Sequence, residues 1–483
     1  MMLCTGAVEY GCSQKQENTD PIVEEPEVRE GTIAPEVITP TEPPPPEKTV
    51  PEKILEQMTL EEKVCQMFIV TPEQISGYDD VTYADEKVRK SVYEYPVGGM
   101  IFFAKNLETK QQTTEMLSDI QGYANETTGI GMFMSVDEEG GEVARCAEKL
   151  GTAKFSDMAE YGKQNDANKA YEIGFTIGND IKKLGFNLDF APVADTYISE
   201  GNELGNRIFS SDPYIVADMA TNVALGLQDA GVCATMKHFP GLGSADGDTH
   251  LDSKVVIDRT LDSLRETEFV PFKQGIQDGV SCIMVGHQIV SGIGDNLPAD
   301  LSGAVITDLL RNELQFNGLV VTDSHQMNTI AEVYSSGEAS VMSIKAGADI
   351  VLMPADLGES VKAVCSEVKN GRLPEERINE STLRILNQKY QLGLIDESIV
   401  GNPREYKYEE PTQENSEEDY SYDGEDSYYE DYDGEYYDYN DYGEYYDDYS
   451  DYNYNDYNDY SDYNDYNDYN DYSDYDESYE QEW

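Results

Sequence analysis

The sequence predicts an α/β protein whose folded part is a single (β/α)8 barrel of the TIM type, with a disordered N-terminal linker and an acidic C-terminal tail. Three observations carry the prediction. Short, near-continuously hydrophobic runs recur between residues 51 and 396, as strands buried on both faces require. Stretches of helical periodicity separate them, and strand followed by helix, repeated, means parallel strands joined by crossover helices. Seven or eight such units in about 345 residues match a barrel with insertions, with a doubly wound open sheet as the architectural alternative.

The elements follow in order. Residues 1–50 are read as a disordered Pro/Glu-rich linker, with four prolines from Pro43 to Pro46 and no hydrophobic period. The opening MMLCTGAVEYGC is too short and too polar for a signal peptide. A long polar tether does follow the lipidated cysteine of surface lipoproteins, and Cys12 is the candidate anchor, although Glu9 and Tyr10 fit a lipobox badly. A secreted or cell-surface location is therefore expected, with a cytoplasmic one as the alternative. The folded domain, 51–396, opens at MTLEEK, where Thr59 and Glu62 form a capping box at the head of an amphipathic helix. The runs VGGMIFF, GMFMSVD, NLDFAPVAD, CATMKHFPG, SCIMVGHQ, GLVVTDSHQM and ADIVLMP are the expected strands, and 166–184 and 338–346 are among the expected helices. The tail, 411–483, repeats N-D-Y or S-D-Y, holds 22 of the 36 tyrosines and 28 acidic residues, and contains no Lys or Arg. Such dense like charge on a period of three forms no packed core.

Of the net charge of −63, the middle 51–410 carries −28. This balance excludes a nucleic-acid binder, which needs a Lys and Arg surface for phosphates. No run of about 18 apolar residues is present, so no transmembrane segment is expected. The seven cysteines, Cys4, Cys12, Cys65, Cys146, Cys233, Cys282 and Cys365, have neither disulfide-framework nor zinc spacing. Those of the middle region are read as small buried hydrophobes.

The candidate chemistry collects at the C-terminal ends of the apolar runs, the edge at which a parallel barrel carries its active site. All four histidines, His238, His250, His287 and His325, lie there. So do Asp137, Asp195 and Asp323, and a carboxylate straight after a buried strand is costly unless it is hydrogen-bonded or working. Asp195 has the plainer reading of a cap for the next segment, whereas GLVVTDSHQM aims Asp323 into the barrel mouth. The Gly-rich stretch Lys237 to Asp252 carries Asp248-Thr249-His250, a carboxylate and an imidazole separated by one residue, near enough for Asp248 to orient His250 and raise its basicity.

At these residues the sequence resembles glycoside hydrolase family 3, in its β-N-acetylglucosaminidase branch. The resemblance covers about residues 51–395 and runs through ordered matches at MTLEEKVCQMF, VGGMIFFAKN, VDEEGGEVAR, LGFNLDFAPVAD, GNRIFSSDP, KHFPG, DTH, LPADLS, GLVVTDSHQM and AGADIVLMP. It implies that Asp323 is the nucleophile, His250 the general acid/base and Asp248 its dyad partner. Asp137, Arg145, Arg207, Lys237 and His238 match the family's sugar-binding positions. The sequence departs from the usual pattern at Leu242, where His is common, at Glu142, where Arg is common, and at His325, where Leu is common.

The expected function is that of a retaining exo-β-N-acetylglucosaminidase acting on wall-derived or chitin-type glycans through a covalent glycosyl-Asp intermediate. β-Glucosidase branches usually draw their acid/base carboxylate from a second α/β domain, whereas this sequence has Asp-x-His on a barrel loop. No cofactor or metal is expected, and a monomer is expected. The rivals are a phosphorylase or another β-glycosidase of the same family, a zinc-dependent barrel hydrolase, which lacks its usual H-x-H here, and a non-catalytic surface sugar-binding protein.

Overall fold

The computed structural model describes residues 47–249 and 251–404. The expected tail 411–483 and most of the expected linker 1–50, with Cys4 and Cys12, lie outside the described residues, as does His250.

Eight strands, β1 (Phe68–Val70), β2 (Gly99–Ile101), β3 (Phe133–Val136), β4 (Leu188–Asp189), β5 (Cys233–Phe239), β6 (Cys282–Val285), β7 (Leu319–Ser324) and β8 (Ile350–Leu352), follow one another around a closed barrel. Every neighbouring pair is parallel, and β1 closes the ring by pairing with β8 at Phe68↔Val351 and Ile69↔Leu352. The open-sheet alternative is thereby excluded. All seven apolar runs form strands; the eighth, β1, is buried throughout and had merged in the sequence with the helix before it. That helix, Leu60–Cys65, has the expected reciprocal cap between Thr59 and Glu62 and ends two residues before β1. The helices expected at 166–184 and 338–346 are Ala167–Leu184, capped by Asp166, and Ser336–Ala346, capped by Ser335.

Packing reaches past both expected limits of the domain, 51 and 396. Thr49 caps the helix Val50–Leu55, whose Ile54 joins Ile130, Leu386 and Ile399 in a separate apolar cluster. Asp396 binds the carbonyl of Gly129 through its N–H, and Arg404 reaches its carboxylate at 2.6 Å. A run of Pro and Glu hides the start of this first helix, because Pro51 suits a helix's first turn as well as it suits a linker.

The two ends of the barrel divide their labour. At the N-terminal end Asp349, fully buried, gathers Arg311, Arg384 and Ser381 together with the Val320 N–H. At the C-terminal end a second apolar cluster of Val193, Leu204, Ile208, Leu242, Ala245, Val255 and Ile257 packs the loops against one another above the main core. Gly243 lies so close to the backbone there that a Cβ would stand 1.9 Å from the Thr196 carbonyl oxygen. Its own carbonyl accepts from the N–H groups of Ile198 and Ser199 at 3.0 and 3.1 Å, pinning the loop after β5 to the loop after β4. Cys65, Cys146, Cys233, Cys282 and Cys365 are buried free thiols. Among the described residues no helix is long and apolar enough to cross a membrane.

Candidate active site

The mouth of the barrel is assembled from strand ends. Asp137 follows β3 directly, and the chain then folds into a small hairpin, Glu138–Gly140 against Val143–Ala144. Alternation within it sends Glu138 and Glu139 opposite ways. Glu138 accepts the N–H groups of Cys146 and Ala147 at 2.7 and 2.9 Å, at the start of the helix Arg145–Leu150, and burial pushes its carboxyl up to about 7. Arg145, a sequence-predicted sugar ligand, opens that helix on the same connection.

Glu139 is the hub of the site. Arg207 donates to it through Nε at 2.9 Å and Nη2 at 2.7 Å, and Lys237 Nζ lies 2.7 Å from Oε1. Lys237 also donates to Asp137 Oδ1 at 2.8 Å. Glu139 is 2% exposed, Lys237 4% and Arg207 8%, against 20% for Asp137. Two carboxylates and two cations therefore balance in a nearly dry pocket with only Asp137 facing outward. Burial alone would raise the Glu139 carboxyl, but Arg207 and Lys237 outweigh it and hold it well below the usual carboxylate range. Burial likewise opposes the Lys237 ammonium, and Asp137 with Glu139 reverses the effect and raises it.

His238, next along β5, turns to Asp195. Its Nδ1 is 2.8 Å and its backbone N–H 3.0 Å from Asp195 Oδ2, while Oδ1 accepts the Leu242 N–H at 2.6 Å. Asp195 is thus not a helix cap. It fixes the imidazole so that Nε2 is left for other work, and it fixes the start of the loop after β5 as well.

Asp323 stands near the end of β7 and accepts the Ser324 N–H at 2.7 Å. The loop that carries Asp248 and Thr249 is tied to the segment just after it, through Thr329 Oγ1 on the Thr249 carbonyl and Asn328 Nδ2 on the Leu251 carbonyl, each at 3.4 Å. On its other side Glu203 accepts from Thr249 N at 3.4 Å and Oγ1 at 3.1 Å and shares a hydrogen bond with Asp248. Burial, followed by that contact between two carboxyl groups, pushes Glu203 up to about 8. Asn202 holds the Leu242 and Ala245 carbonyls at 2.9 and 3.1 Å.

The structure thus joins Asp137, Arg207 and Lys237 in one cluster and sets Asp248 above the Asp323 side of the rim. His250 lies outside the described residues, and its distance to either aspartate belongs with it. His287 and His325 are buried and directed at Asp300, away from the cluster. Among the described residues no group of three or more His, Cys, Asp or Glu side chains is placed to hold a metal ion. Glu139, Glu203 and Asp300 were not singled out from the sequence. Only Glu139 left a signal, its two-residue spacing from Asp137.

Comparison with known proteins covers the span that forms the barrel. The family model for the N-terminal domain of glycosyl hydrolase family 3 matches residues 59–388. A beta-hexosaminidase of Nitrosomonas eutropha is 30% identical over 308 residues, covering 61% of this chain and 86% of that protein. Beta-hexosaminidase A of Pseudoalteromonas piscicida is 29% identical over 364 residues; the match covers 68% of this chain but 60% of that longer relative. Among solved structures, a glycoside hydrolase family 3 beta-N-acetylglucosaminidase from Paenibacillus sp. str. FPU-7 superimposes with a TM-score of 0.65 at 33% identity, over 74% of this chain and 66% of that one. A beta-N-acetylhexosaminidase from Beutenbergia cavernae gives 0.62 at 27% identity, over 69% of this chain and 99% of its own.

Proposed function

The chain belongs to glycosyl hydrolase family 3, and we propose that it is a retaining exo-β-N-acetylglucosaminidase. The observation that carries the reading is the buried cluster of Asp137, Lys237, Glu139 and Arg207 on the rim that also bears Asp323. Charged groups fixed in advance around a polar mouth suit a ligand made of hydroxyls, because their orientation costs nothing at the moment of binding. Asp137 and Lys237 would hold hydroxyls of the terminal sugar, Arg207 would be aimed by Glu139, and His238 would present Nε2, its Nδ1 being engaged by Asp195.

In this mechanism an Asp323 oxygen attacks the anomeric carbon as the glycosidic C–O bond breaks, and protonated His250 gives its proton to the leaving oxygen. Water then attacks the same carbon, its proton passes to the now neutral His250, and the Asp323 carboxylate departs. A histidine whose unperturbed pKa is about 6.5 can give and take that proton near neutrality. Asp248 would orient and electrostatically support the imidazole, and Glu203 would hold Asp248 and Thr249 in turn.

The polar stretch ahead of Thr49 supports placement outside the cell, with wall fragments or chitin-type oligosaccharides as substrates. Fractionation of the native protein with cytosol would overturn that placement. The activity itself is tested with a chromogenic β-N-acetylglucosaminide in phosphate buffer. Free N-acetylglucosamine as product, with turnover abolished in Asp323→Ala, is expected. A sugar 1-phosphate would make the protein a phosphorylase, and binding of the sugar without turnover would make it a non-catalytic sugar-binding protein.

A further inference from the structure

Behind Asp323 lies a second group of ionisable side chains that the mechanism above does not use. His287, two residues past the end of β6, is 1% exposed. Its Nε2 is 2.8 Å from the carbonyl oxygen of Ser324, the residue after Asp323, and its Nδ1 is 3.0 Å from Asp300 Oδ1. Asp300, fully buried on the short turn Ala299–Leu301, places Oδ2 3.0 Å from His325 Nε2. The two imidazole rings lie 6.0 Å apart between centroids.

Proton accounting on this group is restrictive. A carbonyl oxygen can only accept, so His287 Nε2 carries hydrogen. Its Nδ1 lies 3.0 Å from a carboxylate oxygen as an ion-pair contact rather than an aligned hydrogen bond, and with Asp300 ionised that contact favours a proton on the nitrogen, giving an imidazolium. His325 Nε2 serves the other carboxylate oxygen, with Ser343 Oγ 3.3 Å from the same nitrogen. The alternative, a proton on Asp300 and a neutral His287, would strip the carboxylate of its charge between two imidazoles. We propose that His287 is a positioning residue for the nucleophile: an imidazolium, held by Asp300 and the Ser324 carbonyl, that anchors the end of β7 and keeps Asp323 anionic by its charge. The proposal rests on the reading of Asp323 as nucleophile.

The electrostatics of the group agree with its geometry. Burial alone would make His287 neutral, yet Asp300, and further out Asp323, outweigh it and push the imidazole up to about 9. Burial would also raise Asp300, and the two histidines reverse this and hold it below the usual range. An attraction by which Asp323 favours the imidazolium favours the aspartate anion equally. The charged and titratable groups facing His287 are Asp300 from the turn, Asp323 and His325 from β7 and its continuation, with Tyr334 beyond Asp300.

The full-length protein serves for the test. With four histidines in the chain, nitrogen-15 NMR of the imidazoles should show one ring doubly protonated at pH 7.5, its signal absent in His287→Gln. A neutral His287 at that pH would overturn the proposal without any variant. In kinetics, His287→Gln should move the acid limb of kcat/KM upward by about one pH unit, a roughly tenfold loss on that limb. Asp300→Asn removes the carboxylate that keeps the His287 imidazole charged, so its acid limb should rise in the same direction as that of His287→Gln. Limbs that coincide in wild type and His287→Gln would mean a structural role only. An activated fluoro-sugar that esterifies Asp323 in all three proteins, with unmoved limbs, sinks this inference alone; failure to label Asp323 in wild type sinks the nucleophile assignment with it.

Discussion

Removing Glu139 should damage this protein more than removing any exposed acid. The carboxylate receives two N–H bonds from Arg207 and one from Lys237, at 2.7 to 2.9 Å, and is 2% exposed. In Glu139→Ala, Lys237 keeps its bond to Asp137 and Arg207 loses two charge-assisted bonds, so a pocket with little water loses one of its negative charges. Breaking a buried ion pair from one side costs about 3–5 kcal/mol, far above the ~0–1 kcal/mol of a surface pair. Arg207 is then unaimed, and a displacement of about 1 Å at a binding group costs on the order of 10²-fold in kcat/KM. Glu139→Gln keeps the shape and one acceptor and should recover part of both losses. The assay is denaturant or thermal unfolding of the three proteins between pH 5 and 8, together with kcat/KM on the chromogenic substrate. The sign with pH is fixed. Glu139 has a folded value depressed below its ordinary 4.5, so its stabilisation is fully present above about pH 4.5 and is lost only as pH falls toward the folded value. The gap between wild type and Glu139→Ala should be level from pH 5 to 8. A gap within about 1 kcal/mol, or wild-type kcat/KM in Glu139→Ala, would refute the reasoning.

Glu203 behaves oppositely: its carboxyl is raised from 4.5 to about 8, so its contribution is intact below about pH 4.5 and is lost as pH rises toward 8. Unfolding temperature should therefore fall on the alkaline side relative to Glu203→Gln, and parallel curves for the two proteins would contradict the proton shared with Asp248. Asp248→Asn should lower kcat across the pH range while leaving inhibition by N-acetylglucosamine nearly unchanged; wild-type kcat would show that Asp248 does not support the acid/base group. Deleting residues 1–46 and 411–483 should leave unfolding and turnover of small substrates unchanged, since every proposed site residue lies between them, and a truncated protein that fails to fold would refute that.

The barrel was legible because buried parallel strands leave unbroken apolar runs, and these fell where the runs are. β1 was not legible, because Cys65, Met67 and Phe68 continue the apolar face of the preceding helix and nothing in the sequence marks the change of period. Within the site, Asp137 and His238 were named by their place after apolar runs and Arg207 and Lys237 through the family resemblance, yet the side chain that binds the last two was not. VDEEGGEVAR offers three consecutive acids, and only the strand's period of two separates Glu139, on the Asp137 side, from Glu138, which faces a helix start. Asp195 and Asp300 owe their roles to partners 43 and 25 residues away along the chain, His238 and His325, a relation that no local pattern encodes. His287 and His325 drew attention by their place after apolar runs, and the fold turns both inward to Asp300.

The central claim is that Asp323 forms a covalent bond with the sugar. Incubation with a slow fluoro-analogue of an activated β-N-acetylglucosaminide, followed by proteolysis and mass spectrometry, tests it directly. The account predicts one added sugar per chain, carried on the peptide that contains Leu319–Ser324 and located on Asp323 by fragmentation, and none in Asp323→Ala. A label on another carboxylate, or a wild-type protein that turns over the parent substrate rapidly yet never accumulates the ester, would contradict it.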